Sequence, residues 1–438
     1  MALQGAWQSV LPVLRQVEPI VVLQQLGCSL YDTALQMVVR DRCTNASSPD
    51  DSSRQKAMAD FYMTYHMIMQ LMTVLPMLLL ARLSDRGWRR LPIVLPLVGY
   101  LLSRLTLLLV ILLRAPLAVM FAGAALYSLT GGYGAYWSGV MTLASLNSTA
   151  KNRSKVIMRV EVLYGMAGLV GSLVSGHLFH LYSSSVGNGT IMLALSLGLH
   201  ILSFMHAVFL LQVKEVPSSE TEESNHLVFP EEEEVSVEAP ARKNMTNVIL
   251  LFIAAILYDI SVGGAMEILG IFVMKAPLSW NATQVGYGNA AGNMIFLTSF
   301  LGVMLLSRWF SDVSLILIGM LSFASGIYFM SFVTATYMFY LARSLNLFAL
   351  IPMPTIRSLL SQQVPKSSYG IILTMLQLVL KFAGMAYIPI YTRIYQHTLD
   401  WFPGFVFTLS TVFTVLGMIP ISLIGCRSGQ RPQYNRIQ

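Results

Sequence analysis

The chain has 438 residues, of which 55% are apolar and 11% charged, with a formal net charge of +7. Soluble domains carry roughly 25% charged residues, so this composition, with a mean hydropathy of +0.63, excludes a single soluble core and predicts an integral membrane protein. Three cysteines are too few for a disulfide framework, and the positive balance carries no nucleic-acid signature.

A membrane-spanning helix needs about 20 mostly apolar residues. About twelve windows satisfy that rule: 17–39, 59–81, 92–113, 116–146, 156–181, 190–213, 247–272, 284–307, 313–333, 335–360, 368–393 and 401–425. The first follows Arg15, is too long for a signal peptide and lacks a small-residue cleavage site, so it reads as an uncleaved span. The fourth is long enough to overrun into a loop, and its glycine-rich SLTGGYGAYWSGV favours close helix packing. Pro352 and Pro354 are expected to break or bend the tenth near one end. Between the sixth and seventh windows, 214–246 is acidic, contains Ser and Pro, and has almost no aromatics. It reads as a disordered linker between two six-helix halves, 1–213 and 247–438. The expected fold class is an all-α membrane protein with twelve transmembrane helices.

Basic residues in short loops orient such a chain. With the N-terminus in the cytosol, about 17 Lys and Arg fall on cytosolic segments, among them Arg82, Arg86, Arg89 and Arg90, against about 7 outside. Both termini and the linker are then cytosolic, and the sequons at Asn45, Asn188 and Asn281 face outward as candidate glycosylation sites. Those at Asn147, Asn152 and Asn244 fall inside and should stay bare.

The halves echo each other. Tyr31-Asp32 in the first span matches Tyr258-Asp259 in the seventh, and Ser84-Asp85 after the second matches Ser311-Asp312 after the eighth. The offset is the same: 259 − 32 = 227 and 312 − 85 = 227. Parallel six-span repeats are the architecture of major facilitator transporters, whose substrate sites lie between the halves near the bilayer midplane.

A charge inside a span costs roughly 2.5–3.5 kcal/mol, so such residues tend to face the bundle interior and to pair. Glu161 shares a helical face with Gly165, Gly168, Ser172 and Gly176. That small-residue face packs on other helices or lines a cavity. Glu161 lies about 9 Å into its span at about 1.5 Å per residue, where a carboxyl can take a proton on one side and release it on the other; a fixed packing role is the alternative. Asp32 and Asp259 are candidates for proton linkage or for helix–helix hydrogen bonds with Tyr31 and Tyr258 as neighbours. Arg104, Arg343 and Lys381 are candidate anion receivers or internal ion-pair partners. Arg357, after IPMPT, reaches either the cavity floor or only headgroups. His66 forms a polar stripe with Tyr62 and Gln70, and Glu267 reads as a gate or site residue. No phosphate-binding loop, nucleophile elbow or metal constellation is present in the sequence, so an enzyme is not expected.

Two stretches carry resemblances. LSDRGWRR resembles the loop between the second and third spans of major facilitator proteins, with Asp85, Arg89 and Arg90 at matching positions, although Ala81 and Trp88 replace its two glycines. The resemblance makes Asp85 and Arg89 candidate gate residues. VEPIVV, SLYD, LSRLTLLL, YWSGVM, VGYGNAAG, TYMFYLAR and TIRS are similar to the solute carrier family of the proton-coupled folate transporter. That resemblance implies proton-driven import of organic anions: folate-like compounds, muropeptides or cyclic dinucleotides. It places Glu161, in EVLYGMAG, at the family's proton-coupling glutamate and Arg357 at its tenth-span arginine. Val262 stands where the folate transporter has a histidine, and Ser279 where the family has a cysteine, which leaves Cys43 without that partner.

The combined expectation is a proton-coupled symporter working as a monomer in the lipid bilayer on a small anionic substrate, with the proton as coupling ion and no other cofactor. A non-transporting binding protein and a proton-independent carrier are the alternatives. The C-terminal YNRI resembles a sorting signal and suggests the plasma membrane with endosomal cycling.

Overall fold

Hydrocarbon offers no hydrogen-bond partners, so a spanning segment must satisfy its own backbone, and every regular element among the described residues is helical. The computed structural model describes residues 16–44, 51–146, 153–181, 189–212, 245–363 and 366–429. The sequons at Asn45 and Asn188, the linker as far as residue 244 and the YNRI tail lie outside them.

In the first half, α1 (Glu18–Thr44), α2 (Asp51–Asp85) and α3 (Leu91–Leu112) are continuous passes. The fourth pass is split into α4 (Val119–Leu129) and α5 (Gly132–Leu146). It is followed by α6 (Arg153–Leu181) and by α7 (Thr190–Met205), which ends in a π-helical turn at His206–Leu210. The second half repeats this order with α8 (Met245–Phe272), α9 (Ala282–Leu306) and α10 (Asp312–Met330). Its fourth pass is likewise split, into α11 (Thr336–Leu345) and α12 (Pro352–Gln362), before α13 (Lys366–Thr398) and α14 (Phe405–Gly429). Nine of the described helical stretches are long and apolar enough to span a membrane. The remaining three passes are α1, which carries several charges, and the two split ones.

The splits have different causes. Gly131 and Gly132 take left-handed φ values of 97° and 57°, and a Cβ on Gly131 would lie 2.6 Å from the Leu80 side chain and 2.7 Å from Ala135. Only glycine accepts that conformation so close to α2. In the second half the break precedes Pro352, which opens α12 where a missing N–H costs nothing. The backbone freed between α11 and α12 is satisfied by hydroxyls of α9 and α10. Thr298 and Ser299 donate to the Leu347 carbonyl at 2.8 and 2.9 Å, and Ser322 donates to Leu345 at 2.6 Å. The Phe348 and Leu350 N–H groups donate to Ser322 and Ser299 at 3.2 and 3.1 Å. The predicted break therefore exists, a turn earlier than the prolines alone indicate.

The end where α1 begins and α14 finishes is the terminal end; the opposite one is the distal end. The halves meet mainly where α6 packs on α9 and α2 packs on α13. The small-residue face of α6 makes the first contact possible: Gly165 lies against Leu297 and Phe296, Gly168 against Asn293, and Gly176 against the backbone of Ala282 and Thr283. Tyr31-Asp32 and Tyr258-Asp259 both lie within the first helix of their half, α1 and α8.

Gly131→Ala should destabilise the protein by about 1–3 kcal/mol, the usual range for overpacking, visible as a lower melting midpoint in detergent. Gly198→Ala, inside α7 where an added Cβ meets nothing within 4 Å, should not lower the midpoint and should raise it slightly, since Ala is the better helix former.

Candidate functional site: a polar cavity between the halves

A cavity of about 450 Å³ lies between the two halves. From α1, Gln25, Ser29, Asp32 and Gln36 line it, a spacing that stacks them on one face. Tyr62 and His66 of α2 and Ser172 of α6 complete the first half's wall. Glu267 of α8, Asn289 and Asn293 of α9, and Arg343 of α11 form the opposite wall. Ordinary transmembrane faces are apolar, so this concentration of amides and charges marks a surface made for water or a polar ligand.

The charges in the cavity are of two kinds. His66 and Glu267 pair, the imidazole Nδ1–H donating to the carboxylate across the divide between α2 and α8. Asp32 and Arg343 have no such partner. Asp32 is exposed although it sits in the middle of α1, and it makes no hydrogen bond or ion pair with a described residue. Arg343 is only 9% exposed. Its guanidinium lies over the Phe339 ring at 5.5 Å from the centroid, its Nε has no acceptor, and no carboxylate among the described residues lies within ion-pair reach. A buried charge is costly unless compensated, so this wall is set to receive an anion.

The cavity is roofed at the distal end. Trp280 is fully buried, packs edge-on against Phe339 at 4.5 Å and donates through Nε1 to Thr336 at 3.0 Å. Its carbonyl accepts from Arg40 of α1. Around the roof, Gln396 donates to Asp60 at 2.9 Å and to the Lys56 carbonyl at 3.2 Å, and Ser52 donates to Asp400 at 3.0 Å. At mid-bundle, Asn293 donates to Ser172 at 3.1 Å and Lys381 to Gln70 at 2.7 Å. These hydrogen bonds between the halves lie at mid-bundle or distal to it.

Other predicted residues lie elsewhere. Tyr31 uses its hydroxyl inside the first half, on Tyr65 and Ser103 at 3.2 and 3.1 Å. Tyr258 donates to the Ala349 carbonyl inside the second. Arg104 is buried behind α1, its guanidinium 4.1 Å from the Tyr31 ring centroid and 3.0 Å from the Cys28 sulfur; it does not line the cavity. Asp259, Arg357 and Lys381 form a separate group in the second half, where both cations act on the carboxylate. Glu161 is half-buried on the terminal part of α6, outside the cavity lining, with no hydrogen bond or ion pair to a described residue. Beside it an aromatic row runs from Tyr133 and Trp137 through Tyr164 to Phe296 of α9, with neighbouring centroids 4.9–5.9 Å apart. The side chain of Asp85 lies outside the described residues; Arg89 is half-buried in the turn after α2 and has one Nη without an acceptor. Asn281 is exposed and caps α9, accepting from the Gln284 N–H at 3.0 Å.

The cavity amides Gln25, Gln36, Asn289 and Asn293 were not singled out from the sequence. Asn289 and Asn293 stand one turn apart inside an apolar window, a signal as strong as the His66 stripe.

Comparison with known proteins gives a consistent picture. The Major Facilitator Superfamily profile matches residues 56–389. Solute carrier family 46 member 2 of Canis lupus familiaris is 37% identical, covering 98% of this chain and 96% of its own. The lysosomal proton-coupled steroid conjugate and bile acid symporter of Gallus gallus is 26% identical over 93% of this chain and 92% of its own. Among solved structures, the human organic anion transporter MFSD10 superposes with a TM-score of 0.61 at 13% identity, covering 92% of this chain and 97% of its own; at that identity the likeness is one of fold.

Because His66 and Glu267 touch across the divide, the double variant His66→Cys/Glu267→Cys, in a background without native cysteines, should be cross-linked by a short bifunctional thiol reagent, seen after cleavage of the linker as halves held together on a denaturing gel. Neither single variant should do so.

Proposed function

Because the chain belongs to solute carrier family 46 of the major facilitator superfamily, a family of transporters and not of enzymes, we propose that it is a proton-coupled symporter importing small organic anions into the cytosol. The observation that carries this reading is Arg343, a buried guanidinium in the wall of the cavity between the halves with no carboxylate partner among the described residues. A planar guanidinium binds carboxylate, sulfonate or phosphate through two parallel hydrogen bonds. Steroid conjugates and bile acids, named for the chicken relative, join folate-like compounds, muropeptides and cyclic dinucleotides as candidates.

Proton coupling needs a group whose charge changes as the halves move. The His66–Glu267 pair is built for that: it exists only while α2 and α8 are in contact, and histidine changes charge near neutral pH. Glu161 and Asp32, which make no hydrogen bond or ion pair with a described residue, and Asp259, which faces two cations, are the further carboxylates available to carry the proton. The positive-inside pattern assigns the terminal end to the cytosol, so the sealed distal end faces outward or, in an organelle, the lumen. The sequon at exposed Asn281 then meets the glycosylation machinery. One chain holds both walls of the cavity, which supports function as a monomer, at the plasma membrane with endosomal cycling.

Proteoliposomes with an inward proton gradient should take up labelled taurocholate faster than those without one. Arg343→Gln should reduce uptake at least about tenfold, the worth of one charge-assisted hydrogen-bond pair, at unchanged protein yield. Glu267→Gln and Glu161→Gln identify the coupling site: the variant that keeps uptake but loses its pH response carries the proton. Uptake indifferent to pH in the unmodified protein would reject the symport reading.

A further inference from the structure

Among the described residues, neither Arg343 nor Asp32, which stands on the opposite half, has an ion-pair or hydrogen-bond partner, and the two do not pair with each other. The other cavity charges, His66 and Glu267, satisfy one another. We propose that the site is built for amphoteric ligands, which place an anionic group on Arg343 and a cationic or donor-rich nitrogen on Asp32 and so bridge the halves. This deepens the anion-import reading and rests on it.

Three features support the assignment. While Asp32 is ionised it repels a purely anionic ligand, since opposing like charge costs affinity, whereas a cationic nitrogen turns the same carboxylate into an attraction. Asp32 shares its helix face with Gln25, Ser29 and Gln36, side chains that can accept from the same nitrogen and its neighbours. The lining also supplies aromatic surface at Tyr62 and Phe339, suited to the apolar body between the two charged ends. Arg104 and His66 both act on Asp32 electrostatically, but neither forms an ion pair with it: Arg104 is committed to Cys28 behind α1 and His66 to Glu267, so the carboxylate keeps its hydrogen-bonding capacity for a ligand. A ligand that needs both walls binds only when the halves are apposed. Ligand chemistry then selects the conformation as well as the affinity.

The test uses three fluorescent probes with one dansyl ring: Nα-dansyl-lysine, with carboxylate and ammonium; dansyl-norleucine, with the carboxylate alone; and dansylcadaverine, with the ammonium alone. Binding to the purified full-length protein should be at least about tenfold tighter for dansyl-lysine than for dansyl-norleucine, with dansylcadaverine also weaker. Asp32→Asn should make dansyl-lysine and dansyl-norleucine equivalent, Asp32→Glu should restore the difference, and Arg343→Gln should erase the advantage of dansyl-lysine over dansylcadaverine. Equal binding of dansyl-lysine and dansyl-norleucine by the unmodified protein, an unchanged ratio in a monodisperse Asp32→Asn variant, or binding of none of the three at about millimolar concentration overturns the proposal. Taurocholate uptake separates the two readings. If it persists while dansyl-lysine shows no advantage, only the amphoteric reading falls; if it is absent, anion import falls with it.

Discussion

A guanidinium with about nine-tenths of its surface removed from water, and no carboxylate among the described residues to compensate it, is the constraint around which this protein is organised. The low-dielectric interior of a bundle tolerates such a charge only where an aromatic face, water or a visiting anion offsets its lost hydration. Phe339 supplies the first and the cavity between the halves supplies room for the others. Arg343 sits in the last turn of α11, just before the α11–α12 break, whose freed backbone Thr298, Ser299 and Ser322 of α9 and α10 satisfy.

The same logic explains why the halves can come apart. Their contact is made of glycine faces on α6 and of single hydrogen bonds such as Gln70–Lys381 and Asp60–Gln396. Membrane helices gain little from apolar contact with one another compared with contact to lipid. An interface of small residues and isolated polar bonds can therefore separate at modest cost, while the cores inside each half stay packed. The hydrogen bonds named above seal mid-bundle and the distal end, so this conformation is closed on that side.

Much of the architecture was legible in the sequence because it follows from composition and periodicity. The span windows, the two halves and the equivalence of Asp32 with Asp259 needed only apolar length and a constant offset. The small-residue face of α6 followed from helical spacing and packs as that spacing implies. Partners across the divide were not legible: His66 and Glu267 are 201 residues apart, and periodicity names faces, not what they meet. Arg104 shows the same limit. A charge in a span must turn inward, but only the fold says whether inward means the shared cavity or, as here, the middle of one half behind Tyr31. The break in the fourth pass was masked because Gly131 and Gly132 read equally well as tight packing and as left-handed turn residues. The side chain of Asp85, a residue singled out for gating on resemblance alone, falls outside the described residues.

The central claim is that the cavity between the halves is reachable by water and occupied by the anionic cargo. Asn289 lines it on the wall that carries Arg343. In a background without native cysteines, Asn289→Cys should react with a membrane-impermeant thiol reagent applied from one side of the bilayer, and taurocholate should slow that reaction. A cysteine at this position that no reagent reaches from either side, or whose labelling rate ignores the anion, would contradict the account.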